Sequence, residues 1–137
     1  MKSLLPNATH VLCYESVNIH GIIIHGSPWL YYQDYAYVNK SGYGSMPISK
    51  FELITPCDIL VTHGPAYQVL DFADYNTHSG SKILSTVLNN IKPIAHLHGH
   101  IHESNGTYNN PETNMLTSNA AAADYKTTKV VKNIKIL

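Results

Sequence analysis

Two observations predict a mixed α/β fold. First, two short apolar runs, Cys57 to Val61 and Ile94 to Leu97, each stop at a loop rich in glycine and histidine, as buried strands do. Second, Ser79 to Lys92 carries Ile83, Leu84, Val87, Leu88 and Ile91 at helical spacing, which makes one apolar face. Strand, helix and strand in that order form a βαβ unit, so the two strands are expected to run parallel.

From the amino terminus, His10 to Glu15 reads as a strand. Val17 to Ile24 reads as two apolar stretches hinged at Gly21, in a hairpin or a bulged strand. Ser27 to Pro47 has the composition of a loop and holds Tyr31, Tyr32, Tyr35, Tyr37 and Tyr43. Pro47 to Ile54 fits a short helix with proline in its first turn. Pro93 stops the main helix, and Asn114 to Asn119 and Lys129 to Leu137 read as closing strands. Strands outside the βαβ unit are close in sequence and are expected to be antiparallel.

The chain has 137 residues, 44% of them hydrophobic and 13% charged. That length predicts one domain, 1–137, able to bury roughly two-thirds of its unfolded surface. Nine lysines balance nine acidic residues and there is no arginine, so neither a basic platform for duplex nucleic acid nor a bidentate phosphate clamp is expected. The apolar run Gly21 to Ile24 is far short of the ~20 residues of a membrane span. Met1 to Leu5 runs directly into Pro6 without a signal-peptide core. Cys13 and Cys57 lie in apolar runs and read as buried thiols. These features together predict a cytoplasmic globular domain.

The chemistry gathers at the ends of the two strands of the βαβ unit. His63 follows the first, and His100 and His102 follow the second. Parallel neighbours place their carboxyl ends side by side, where open α/β sheets put their ligand sites. Imidazole is the commonest protein ligand for zinc and suits several transition metals. On extended backbone His100 and His102 point to the same side. From spacing alone, metal ligands and ordinary polar rim residues are both open readings. His96 and His98 read as structural groups that orient the loop. His10, His20, His25 and His78 have no partner pattern.

The order Gly26-Ser27-Pro28-Trp29, Asp58 to Pro65 (DILVTHGP), Lys92-Pro93, Gly99 to Glu103 (GHIHE) and Asn119-Ala120 resembles the calcineurin-like metallophosphoesterase superfamily. Within it, the chain is similar to the small metallophosphoesterase-domain proteins of the vertebrate brain type. The likeness covers about His10 to Leu137. It implies the carboxyl-terminal part of a four-layer α/β/β/α sandwich with mixed sheets, and a phosphoesterase or phosphodiesterase activity. It also implies two divalent metals (manganese, iron or zinc) that activate water and clamp a phosphoryl group. Carried over, His63 and His100 would hold one metal and His102 the other. Trp29 is a candidate for substrate contact or for core packing, and Glu103 is a structural or supporting group.

The family motifs Asp-x-His, Gly-Asp and Gly-Asn-His do not occur in these 137 residues. The chain therefore reads as an N-terminally truncated member, with its catalytic set incomplete. Unit like charges ~4 Å apart repel by about 4 kcal/mol at an effective dielectric near 20, and two divalent ions by fourfold more. Without bridging carboxylates at most one metal is expected, and the isolated chain should be inactive. The alternative is a non-catalytic single-metal-binding or protein-interaction domain derived from the same fold. A completed site would take a phosphoester, such as a cyclic nucleotide. Missing strands would leave those of Ile59 and Ile94 beside an open edge, where self-association or a partner chain could add.

Overall fold

A computed structural model describes residues 5–28, 53–73 and 76–123. Trp29, the tyrosine-rich segment, the expected helix from Pro47 through residue 52 and the expected strand Lys129 to Leu137 lie outside the described residues. The architecture is mixed α/β. Among these residues a six-stranded sheet has the order β1 (Glu15–Ile19), β2 (Ile22–Ser27), β3 (Ile59–Thr62), β6 (Ala95–His98), β8 (Leu116–Asn119), β7 (Gly106–Asn109), and a two-stranded ribbon pairs β4 (Phe72–Ala73) with β5 (Thr77–His78).

β1 (Glu15–Ile19) and β2 (Ile22–Ser27) form the expected hairpin, antiparallel, with Val17 opposite Ile24. Its two-residue turn needs positive φ at both positions, which His20 (52°) and Gly21 (90°) supply. Asn18 Oδ1 accepts from the Gly21 amide at 2.9 Å and fixes the turn. The strand expected over His10 to Glu15 does not form. Tyr14 has a left-handed backbone, φ 58°, which interrupts extension just before β1 begins.

β3 (Ile59–Thr62) and β6 (Ala95–His98) run parallel, as the βαβ reading requires, with Leu60 opposite His96. Between them lies α1 (Lys82–Ile91). Ser81 caps its first turn by accepting from the Leu84 amide at 3.1 Å. Lys92 ends it in the left-handed conformation, and Pro93 prevents continuation. Leu84 and Leu88 of α1 pack with Leu60, Ile54, Cys57 and Ala66 to form the core. Each of the three leucines and Ile54 contributes about 1.5–3 kcal/mol by leaving water. Cys57 is buried as expected, and burial pushes its thiol pKa up. Cys13 is only half-buried.

Two pairings differ from expectation. β2 lies parallel to β3, with Ile24 opposite Ile59, and β8 (Leu116–Asn119) lies parallel to β6, with Thr117 opposite His96. Among the described residues, the antiparallel pairs are β1–β2, β4 (Phe72–Ala73) with β5 (Thr77–His78), and β7 (Gly106–Asn109) with β8. The strands of Ile59 and Ile94 are consequently interior, flanked by β2 and β8. Among the described residues, β1 and β7 are the outermost strands of the sheet. The open edge anticipated beside β3 and β6 is occupied by the chain's own strands.

The face of the sheet that carries Leu60 is unusually polar. His25, Ser27, Thr62, His96, His98, Thr117 and Asn119 all sit on it, buried. Val61, on the opposite face, is exposed.

Candidate metal centre

β3 and β6 end side by side, and each delivers a histidine immediately or shortly after its last residue. The Gly99 amide donates to the His63 carbonyl at 3.0 Å, which joins the two turns. The side chains then meet: His63 Nε2 lies 3.2 Å from His100 Nδ1, with ring centroids 4.8 Å apart and planes tilted by 48°. Two nitrogens bound tetrahedrally to zinc at ~2.0–2.1 Å are about 3.3 Å apart. The pair can therefore share either a proton or a cation with little movement.

His100 is not on extended backbone. The Ile101 amide donates to the Gly99 carbonyl at 2.9 Å, so His100 is the centre of a three-residue turn with φ 75°. This γ-turn conformation is rare and strained for a residue with a Cβ. His102 begins a 3-10 turn, His102–Ser104. The alternation expected of His100 and His102 is thus absent, because a tight turn and a helical turn replace the strand.

His102 Nδ1 bonds the carbonyl of Ala123. A carbonyl only accepts, so Nδ1 carries a proton, and in the neutral tautomer the lone pair is on Nε2. Metal-ligating histidines commonly anchor their other nitrogen in this way. Among the described residues, no group of three or more His, Cys, Asp or Glu side chains is arranged around one ion. The structure brings His63 and His100 into contact and places His102 near enough to act on the His100 ring, without gathering the three around one ion.

Burial pushes the His100 imidazole below its usual pKa; His63 and then His102 push it further down, while Glu103 pulls the other way. The neutral ring this favours is the form that binds metal. Glu103 is exposed in the 3-10 turn.

Several side chains fix these turns, and of them Asp71 and Ser104 carried no obvious signal in the sequence. Asn119, 2% exposed, donates to the Ile101 carbonyl at 2.7 Å and to the Leu70 carbonyl at 3.3 Å, and accepts from the Ala121 amide at 3.0 Å. Asp71, 1% exposed, accepts from the Gln68 and Gly80 amides, both at 2.9 Å, and from His78 Nδ1 at 2.7 Å. Ser104 bonds both the amide and the carbonyl of Phe72, tying β4 to the turn of His102. Asp58 Oδ2 accepts from the Ile23 amide at 2.7 Å, which ties β2 to the start of β3. His96 and His98 are strand residues inside the sheet, and His25 bonds Ser16 through Nδ1 at 2.8 Å.

A Caenorhabditis elegans protein of the UPF0046 group is 33% identical over 129 residues, which is 90% of this chain and 44% of that protein. The human metallophosphoesterase domain-containing protein 1 is 30% identical over 129 residues, covering 92% of this chain and 39% of its own. These relatives support a metallophosphoesterase-like family for the chain. The chain spans less than half the length of those relatives. A crystal structure with 18% identity superposes with a TM-score of 0.55 over 88% of this chain and 48% of that one, which supports the fold alone. No protein-family model matches the sequence. Among the described residues no helix is long and apolar enough to cross a membrane.

Replacing His100 by glycine separates backbone from ligand. A left-handed residue with a Cβ costs about 1–2 kcal/mol, partly offset by the flexibility glycine adds to the unfolded chain. His100→Gly is expected to raise stability in urea unfolding by about 1 kcal/mol while removing the imidazole. A loss of stability would mean that the ring contributes more than its strained backbone costs.

Proposed function

We propose that this chain supplies the histidine side of a phosphoesterase metal centre. His63 and His100 hold one divalent ion, and His102 presents Nε2 toward a second that needs carboxylates from elsewhere. The 3.2 Å approach of His63 Nε2 to His100 Nδ1 is the observation that supports this most directly. The strained backbone of His100 supports it as well, since such conformations cluster at functional sites. Two bound metals would lower the pKa of a water and hold a phosphoryl group for attack. The chain's own part is to present neutral imidazoles at the ends of two parallel strands.

The substrate class is a phosphoester, with cyclic-nucleotide-like diesters as the first compounds to assay. Because the 137 residues contain none of the Asp-x-His, Gly-Asp or Gly-Asn-His motifs, the isolated chain binds at most one metal and does not turn over. A second reading is a non-catalytic domain that binds a single metal, since among the described residues His63 and His100 stand within reach of one ion and no group of three or more such ligands forms.

Calorimetric titration with manganese or zinc tests the ligand set. The expected result is no more than one ion per chain, lost in both His63→Ala and His100→Ala. Hydrolysis of a chromogenic phosphodiester separates the readings. Activity that appears only when a polypeptide bearing the three motifs is added supports the phosphoesterase reading, and continued silence supports the non-catalytic one. Turnover by the isolated chain, abolished by His102→Ala, would overturn the requirement for outside carboxylates.

A further inference from the structure

We propose that His96 is a positioning residue for the His63–His100 pair, acting through the hydroxyl of Thr62. The inference rests on the metal reading above and adds a residue to it. Thr62 ends β3, one position before His63, and its Oγ1 donates to the Gly64 carbonyl at 2.6 Å. That bond arches over His63 and closes its turn. A hydroxyl has one proton, so every other contact of Oγ1 must be accepted. His96 Nε2, 2.8 Å away, is therefore the donor.

The ring is fully buried and its pKa is lowered to about 3, chiefly by burial and then by His98. It is neutral, with its single N–H on Nε2. His96 also stands on β6, the strand that leads into His100. The His63 carbonyl meanwhile accepts from Gly99, directly before His100. One cross-brace thus sets the backbone on both sides of the candidate ligand pair.

Packing alone does not explain an imidazole here. Its neighbours in register are Leu60 and Thr117, both fully buried, and an aliphatic side chain would fill the space without burying ring nitrogens. What the imidazole adds is a directional N–H aimed at Thr62. Gln can place an amide N–H close to the same point; Leu cannot.

The test compares His96→Leu, His96→Gln and Thr62→Val with the unaltered chain, under conditions where circular dichroism shows each folded. Losing a partner that bonds a metal ligand directly typically weakens binding ~10–100-fold, and this brace acts one bond further out, so the low end of that range applies. His96→Leu and Thr62→Val should each weaken manganese or zinc binding about tenfold, the double variant no more than either alone, and His96→Gln should restore it. Wild-type affinity in His96→Leu, or additive losses that Gln does not rescue, would overturn the proposal in favour of plain packing.

Nuclear Overhauser contacts between the His63 and His100 rings give a readout that needs no metal. They should persist in His96→Gln and vanish in His96→Leu and Thr62→Val; contacts that persist in all three overturn the proposal. If the unaltered chain takes up no metal while the ring contacts follow this pattern, the metal reading fails and the positioning role stands. Should His96→Leu not fold, the near-isosteric Thr62→Val carries both measurements.

Discussion

Lowering the pH from 7 to 4 is expected to remove about 3 kcal/mol of stability through His96 alone. In the unfolded chain this imidazole takes up a proton below its ordinary 6.5, whereas in the folded chain it does so only below about 3. Between those values the unfolded state binds more protons, so stability rises with pH and falls on acidification. His25, His98 and His100 are also lowered, each chiefly by burial, and act in the same direction. Urea unfolding at pH 7, 5.5 and 4 measures the slope. The variant His96→Gln should reduce it by close to one proton between pH 4 and 6. A slope that the substitution leaves unchanged would show that His96 titrates as it does in water.

Asp71→Ala is expected to destabilise the protein by roughly 3 kcal/mol, since hydrogen bonds to a charged group contribute about 1.5–3 kcal/mol each and water can replace some of them. The carboxylate closes the segment between His63 and α1 through the amides of Gln68 and Gly80. Gly80 has no slack to compensate, because a Cβ there would stand 2.2 Å from the Ala66 carbonyl oxygen. His78→Ala should cost much less, because the His78 side chain is 38% exposed and loses only one of the three bonds. The shift in urea midpoint measures both, and a loss below about 1 kcal/mol in Asp71→Ala would show that the backbone closes this loop without the carboxylate.

The parts of the fold that were legible are those whose signal is local. The stripe of Leu84 and Leu88, the stop at Pro93 and the hinge at Gly21 each announce an element through neighbouring residues. The convergence of His63 and His100 was legible because it follows from one long-range statement, that β3 and β6 are parallel neighbours. The partners of β2 and β8 were not. Their buried faces carry His25, Ser27, Thr117 and Asn119, so polarity conceals the strand alternation, and nothing in either segment names a parallel partner. The turn that lifts His100 out of extension was hidden too, since it depends on one amide-to-carbonyl bond across that residue. The role of Asp71 was hidden because two of its three donors are backbone amides, which every segment possesses.

The strand order has a kinetic meaning. The two outer pairs of the large sheet, β1–β2 and β7–β8, join segments that are adjacent or nearly so in the chain, whereas the interior pairs β2–β3, β3–β6 and β6–β8 are all parallel and join distant ones. Local hairpins close in about 1–10 μs, but parallel pairing must first overcome the entropy of closing a long loop. The sheet should therefore assemble from its margins inward, and the histidine pair, which sits on the central seam, should be among the last contacts made.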